Sequence, residues 1–350
     1  MPHHRGADTI NLDRHHRMKR ASLLTALTLT AVLSATGCSA TTAPNPSPAS
    51  SLAVVATTTQ VGDFTANVGG DLIALTQLLT PGASAHHFDP TPADLATLAD
   101  ADVLVINGAG LEGFLDSAIE ASGFDGITID SSTGIALSGG EDHAEAAESE
   151  GAPERATGEA KGNPHVWTDP ALAEKMVITI ASGLAKADPA HASAFEANAT
   201  AYNAKLAELD TWVRTNVNAV PAEKRLVVSN HDAFHYFLDA YDITFVGSII
   251  PSFEDNAEPS AAEIDALVAK ITKLGVRAIF SESSVSDKTA AAIAQAAGVT
   301  VYSGEDALFG DSLGAAGSGG ETYISATIHN ATVIMESWGI TPTPVPAGLE

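Results

Sequence analysis

The chain alternates short apolar, β-branched runs with stretches of helical periodicity, and the alternation occurs in two series. Strands that alternate with helices and lack hairpin signals are typical of parallel sheets. The pattern therefore predicts an α/β fold with two lobes, each a four-stranded parallel sheet flanked by helices. The eight predicted strands are residues 52–57, 73–79, 102–107, 126–130, 225–230, 243–250, 276–282 and 299–304.

Between the two series lies a region without strand signals, residues 170–222. Within it, residues 191–220 carry apolar side chains at nearly helical spacing and contain no internal glycine or proline. At 1.5 Å per residue, such a helix would be roughly 45 Å long. We therefore expect an N-terminal lobe at 52–169, one long linking helix within a helical linker at 170–222, and a C-terminal lobe at 223–350.

The N-terminal segment has the features of a secretory signal. Lys19 and Arg20 precede an apolar run that is too short to span a membrane, and small residues then lead to Cys38. This arrangement resembles a bacterial lipobox, so we expect residues 1–37 to be a signal peptide, with Met18 as a possible true start, and Cys38 to be lipidated. Residues 38–51 then form a flexible tether. The expected location is extracytoplasmic, anchored to the outer face of the cytoplasmic membrane.

Charge excludes one class of partner and marks one insertion. The net charge of -26 argues against nucleic-acid binding, which requires clustered lysine and arginine. Residues 138–162 are rich in Glu, Ala and Gly without apolar periodicity, which predicts a disordered acidic loop. Cys38 is the only cysteine, so a lipidated protein would have no thiol for a disulfide or a thiolate metal site.

Four stretches that carry imidazole or carboxylate groups follow predicted strands, at the edge where open α/β sheets bind ligands. Two of the stretches come from each lobe, which would place a common site in the cleft between them. Zinc and related cations bind such side chains, and zinc usually takes four. Neighbouring residues of an extended segment point to opposite sides, so one histidine of the first stretch is expected to bind. The candidates are His86 and His87, His165, His231, and Asp306 and Asp311.

The combined pattern PGxxxHxFxPTPxD, PHVWxDP, HDAFxYF and DSLG, in this order, resembles the metal-binding lipoproteins of zinc and manganese ABC importers, the cluster A-I or TroA-like family. The resemblance covers about residues 52–340. It implies one divalent cation per chain, bound as transported substrate, no enzymatic activity, and a monomer that acts with an ABC permease and its ATPase. It also implies that the metal ligands are His86, His165, His231 and Asp311.

Two details depart from the family pattern. Ser84 and Ala85 stand where an Asp-Pro commonly precedes the first ligand. The loop before the second ligand, which is often rich in histidine in zinc-type members, contains only His143. The role of this loop is therefore left open between metal collection and a passive insertion.

Three imidazoles and one carboxylate suit zinc better than manganese, which prefers oxygen ligands. Manganese-type relatives also tend to have Glu where this chain has His231. Zinc is therefore the expected metal, with a manganese receptor of the same family as the alternative. Because imidazole binds metal only when neutral, affinity is expected to fall below about pH 6.5. An additional role in cell adhesion and delivery by a metallochaperone stay open.

The segment HDAFH invites a different interpretation, because it nearly matches the zinc-peptidase motif H-E-x-x-H. His231 and His235 are four residues apart, but Asp232 is one methylene shorter than the required Glu and His231 follows a predicted strand. A peptidase is therefore the less favoured function. Glu282, at the end of another predicted strand, has two open interpretations: it orients a ligating histidine, or it caps the next helix.

Overall fold

The structure is a computed structural model that describes residues 51–139, 162–255 and 257–349. The predicted signal peptide, Cys38, nearly all of the tether and most of the acidic loop, including His143, lie outside the described residues. Among the described residues, no helix combines the length and apolar character needed to cross a bilayer.

The N-terminal half (residues 51–139 and 162–169) is built on a four-stranded parallel sheet with the strand order β2-β1-β3-β4. All four strands lie within or at the predicted runs, so this lobe's sheet is confirmed. The strands are β1 (Leu52–Ala56), β2 (Ile73–Gln77), β3 (Val103–Ile106) and β4 (Ile127–Asp130), and the helices are α1 (Thr59–Gly69), α2 (Pro92–Ala99) and α3 (Leu115–Ser122).

Local capping determines where two of these helices begin. The side chain of Thr58 accepts a hydrogen bond from the backbone N–H of Val61 at the start of α1. At the start of α2, Thr91 and Asp94 form a reciprocal capping box. Such caps satisfy backbone donors that the first helical turn leaves free, which ends the preceding loop at a defined residue.

Two consecutive helices that pack against each other occupy the predicted linker. α4 (Pro170–Ala187) packs against α1 and β4, and α5 (Ala192–Asn218) packs against α4, α1 and α9 (Tyr323–Ser337). α5 contains 27 residues and is about 40 Å long, which confirms the long helix. The chain reverses between α4 and α5 at Asp188–Pro189, and the lobe boundaries at 169 and 222 stay predictions.

The C-terminal half (residues 223–255 and 257–349) has the four predicted strands, but they form two parallel pairs, β5–β6 and β7–β8. β5 and β7 lie side by side without a shared ladder. These strands are three to five residues long, and the β5–β6 register shifts at Val227/Val228. The elements are β5 (Leu226–Ser229), α6 (His235–Ala240), β6 (Thr244–Ser248), α7 (Ala261–Leu274), β7 (Ala278–Phe280), α8 (Lys288–Ala297) and β8 (Thr300–Tyr302).

The two halves share a hydrophobic core. The larger buried cluster runs from the first sheet through α4 and α5 to residues of the C-terminal half such as Phe280 and Trp338. The ring of Phe64 on α1, for example, meets that of Tyr323 on α9 edge-on at a centroid distance of 4.8 Å. A second, smaller cluster lies entirely within the C-terminal half. Residues placed between the halves are therefore held by packing from both sides.

Candidate metal centre

Four predicted ligands meet between the halves. Each follows a strand: His86 comes after β2, His165 lies between β4 and α4, His231 is two residues beyond β5, and Asp311 comes after β8. One nitrogen or oxygen atom from each lies within 4.8 Å of those of the other three, and all four residues are buried. Residues up to 225 positions apart in the chain therefore meet beyond the carboxyl ends of the parallel strands, where open α/β sheets bind ligands.

The ligand atoms converge on one point. Nε2 of His165 lies 2.9 Å from Oδ1 of Asp311, and Nε2 of His231 lies 3.3 Å from Oδ2 of Asp311. Nε2 of His86 lies 3.2 Å from Nε2 of His165 and 3.6 Å from Oδ2 of Asp311. Nε2 of His231 and both oxygens of Asp311 nevertheless make no hydrogen bond. Buried polar atoms that face one another without hydrogen bonding fit the coordination of a cation.

The far side of each imidazole faces an oxygen atom, within a hydrogen bond for His165 and His231 and within a charge contact alone for His86. Nδ1 of His165 lies 2.6 Å from Oδ1 of Asn163, and Nδ1 of His231 lies 2.8 Å from Oε1 of Glu282. Nδ1 of His86 lies 3.3 Å from Oε2 of Glu254. A partner at Nδ1 selects the tautomer that presents Nε2 to a metal and makes that nitrogen more basic.

The orienting interpretation of Glu282 therefore agrees with the geometry, while Asp287, not Glu282, precedes α8. Sequence reasoning missed Asn163 and Glu254. Asn163 could have been found from its position two residues before His165 in the segment NPH, which places an amide close to the imidazole. No sequence pattern pointed to Glu254, because it lies in a loop without periodicity that is far from His86 in the chain.

Burial and neighbouring charges shift the pKa values of the cluster. Burial lowers the pKa of His165 to about 4, so this imidazole is neutral at physiological pH. Burial alone would raise the pKa of Asp311, but His231 and His165 hold it well below its usual value. Asp311 is therefore ionised, and the centre has one carboxylate charge available to a divalent cation.

The segment around Asp311 is held by the opposite half of the protein. The carbonyl oxygen of Gly310 accepts hydrogen bonds from Nε2 of Gln60 at 2.9 Å and Nε1 of Trp167 at 3.3 Å. The backbone N–H of Leu313 donates to Oγ1 of Thr59 at 2.8 Å. The aspartate thus comes from the C-terminal half, but its position depends on α1 and on the segment that carries His165.

The remaining candidates lie outside the cluster. His87 faces Asp255, with Nε2 and Oδ1 2.9 Å apart. Asp306 is exposed in the short 3-10 helix Gly304–Asp306. His235 begins α6 and its Nε2 lies 3.1 Å from Oγ of Ser138, so it does not join His231 on a helix as a peptidase site would require.

Three imidazoles and one carboxylate, buried between two α/β halves, are the side chains expected in a protein that binds a divalent metal ion in its cleft. The sequence matches the family described as "ZnuA: Zinc-uptake complex component A periplasmic" over residues 54–337, and the chain belongs to this family. The family consists of substrate-binding proteins for divalent metals rather than enzymes.

Individual relatives agree with this assignment. The chain is 32% identical to the manganese-binding lipoprotein MntA of Bacillus subtilis (strain 168), covering 90% of this chain and 98% of that protein. It is 30% identical to the MntA lipoprotein of Halalkalibacterium halodurans, covering 85% and 92%. Among solved structures it is similar to the periplasmic zinc binding protein TroA from Treponema pallidum, with a TM-score of 0.71, 28% identity, and coverage of 82% and 99%.

Proposed function

We propose that this protein is the extracytoplasmic receptor of an ABC importer and that its substrate is Zn²⁺, one ion per chain. His86, His165, His231 and Asp311 are the proposed ligands. The observation that carries the proposal is the convergence of these four buried side chains, whose facing atoms include three without hydrogen-bond partners. They supply the number and types of ligand that zinc usually takes in proteins.

Donor chemistry favours zinc over manganese. Three imidazole nitrogens suit zinc, whereas manganese prefers carboxylate, carbonyl and water oxygens. Glu282 does not change this balance, because its Oε1 faces Nδ1 of His231 rather than the centre of the cluster. The cluster also offers four ligand side chains, which is the number that zinc binds in a tetrahedral site.

Manganese is the second candidate, and two observations favour it. Both MntA relatives are named for manganese binding. Both oxygens of Asp311 face the imidazoles, at 2.9 Å from Nε2 of His165 and 3.3 Å from Nε2 of His231, so the carboxylate can bind through two oxygens and raise the coordination number.

We further propose that Cys38 carries a lipid that anchors the monomer to the outer face of the cytoplasmic membrane, and that an ABC permease with its ATPase receives the metal. The names of several relatives, such as the manganese ABC transporter substrate-binding lipoprotein PsaA of Streptococcus pneumoniae, support both points. Release then requires the halves to shift, because the proposed ligands come from both halves.

The test is elemental analysis of the purified protein, followed by titration with zinc and manganese in competition. We expect one tightly held zinc per chain, lost in the His165→Ala variant. A preference for manganese would keep the receptor function and overturn the metal. If no stoichiometric metal binds, the four residues are not a metal site.

A further inference from the structure

Two acidic residues in the loop between β6 and α7 face the two histidines in the loop after β2. Oε2 of Glu254 lies 3.3 Å from Nδ1 of His86, and Oδ1 of Asp255 lies 2.9 Å from Nε2 of His87. Adjacent residues of one loop therefore meet adjacent residues of the other. Since the loops belong to different halves, these paired contacts cross the cleft directly beside the metal centre.

His86 differs from the other two histidines in the origin of its partner. Nδ1 of His165 is held by Asn163, two residues away in the same segment. Nδ1 of His231 is held by Glu282, which lies in the same half of the protein. Only His86, among the three, has its Nδ1 facing a group from the opposite half. Its orientation therefore depends on how close the two halves are.

Stability alone does not account for the Glu254 contact. The side chain of Glu254 is 44% exposed, and its backbone N–H makes a local hydrogen bond to Oγ of Ser252. A half-exposed ion pair contributes little to the free energy of folding, because water screens it. Oε2 of Glu254 faces Nδ1 of His86, the ring nitrogen opposite the one that faces Asp311.

Asp255, the next residue of the loop, faces His87 rather than His86. Its side chain is only 7% exposed, whereas that of His87 is 42% exposed. The buried carboxylate faces the one imidazole of this loop that does not enter the cluster. This second contact joins the same two loops one residue further along each.

We propose that Glu254 and Asp255 form a latch across the cleft, in which Glu254 orients His86 for metal binding only while the two halves are together. The latch rests on the proposed function, in which His86 is a ligand. When the halves separate, Glu254 leaves His86, and the ring is free to turn its Nε2 away from the metal. Loss of the latch then precedes release of the ion.

The test compares metal release from the purified full chain and its Glu254→Ala and Glu254→Gln variants, with Glu258→Ala as the matched control. Glu258 is an exposed acid of the same loop. The zinc dissociation rate is followed with a competing chelator. We expect Glu254→Ala to release zinc about 10- to 100-fold faster, the loss typical when a ligand's outer partner is removed. Glu254→Gln, which keeps the shape and removes the charge, should resemble Glu254→Ala, because Nδ1 of His86 makes no hydrogen bond and the contact is electrostatic.

Two readouts separate positioning from a structural role. The thermal midpoint of the metal-free protein should be unchanged in all three variants, while the absorption spectrum of the Co²⁺-loaded protein should change in Glu254→Ala and stay the same in Glu258→Ala. His87→Ala and Asp255→Ala should each speed release, and the double variant should be no faster than either, as expected for one shared contact.

Unchanged release from Glu254→Ala would overturn the latch. So would faster release that is matched by a lower midpoint of the metal-free protein, because that result indicates a structural role. A wild-type protein that holds no stoichiometric metal would instead overturn the proposed function, so the two failures are distinguishable.

Discussion

Oε1 of Glu282 lies 2.8 Å from Nδ1 of His231, and both side chains are completely buried. A carboxylate in this position fixes the ring and makes Nε2 a stronger donor to a metal. We expect Glu282→Gln to lower zinc affinity by about 10- to 100-fold. Competition titration measures the change, and Glu305→Gln, at an exposed acid after β8, is the control. Equal affinity of both variants and the wild type would mean that Glu282 does not act on the metal.

Substituting His165 and His235 separately distinguishes a metal receptor from a zinc peptidase. His165 is buried in the cluster, whereas His235 contacts Ser138 at the start of α6. We expect His165→Ala to lose stoichiometric zinc and His235→Ala to retain it with unchanged affinity. Elemental analysis after gel filtration distinguishes the two variants. Loss of zinc from His235→Ala would revive the peptidase interpretation.

Metal binding should depend on pH through His231. Burial would lower the pKa of this imidazole, but Glu282 and Asp311 raise it well above its ordinary value. In the metal-free protein His231 therefore carries a proton at neutral pH, and zinc must displace it. Affinity should fall as pH decreases, and the fall should begin above the value of about 6.5 expected for an ordinary histidine.

The size of the pH effect follows from the proton count. Burial would lower the pKa of His86, but Glu254 and Asp311 raise it, so His86 adds a second competing proton near neutral pH. Each proton displaced per metal gives about a tenfold loss of affinity per pH unit. His165, with a pKa lowered to about 4, adds a further competing proton only in stronger acid. Zinc titrations across the neutral range, with proton release measured in weak buffer, check both statements. A flat profile with no proton release would contradict the protonated state of His231.

The strands and the four candidate ligands could be predicted because their signals are local. Short β-branched runs marked every strand, and each ligand stretch is the one that comes next in the chain after a run, directly or, for His165, after the acidic loop. The choice between His86 and His87 needed the resemblance. The two rings lie only 6.4 Å apart, so the segment bends and the alternation rule for extended chains does not apply to it.

What the sequence did not reveal depends on contacts between distant segments. Glu254 belongs to a loop without a pattern, and its partner lies 168 residues earlier in the chain. The split of the second sheet into two pairs likewise left no mark on the apolar pattern, because the runs for β5 and β7 read like those of paired strands. Periodicity reports which face of an element is buried, but not which loop reaches across to another.

Gly310 shows how such a contact can be tested without altering a ligand. A Cβ atom at this position would lie 2.1 Å from Oε2 of Glu282, so the buried carboxylate that contacts His231 would have to shift. We expect Gly310→Ala to lower zinc affinity by about 10- to 100-fold through displacement of Glu282, and to cost about 1–3 kcal/mol of unfolding free energy through crowding. Gly113→Ala is the matched control, because its added Cβ would meet no atom within 4 Å. If the two alanine variants bind zinc equally well, Glu282 can move without loss to the centre, and its hydrogen bond to His231 does not position the ligand.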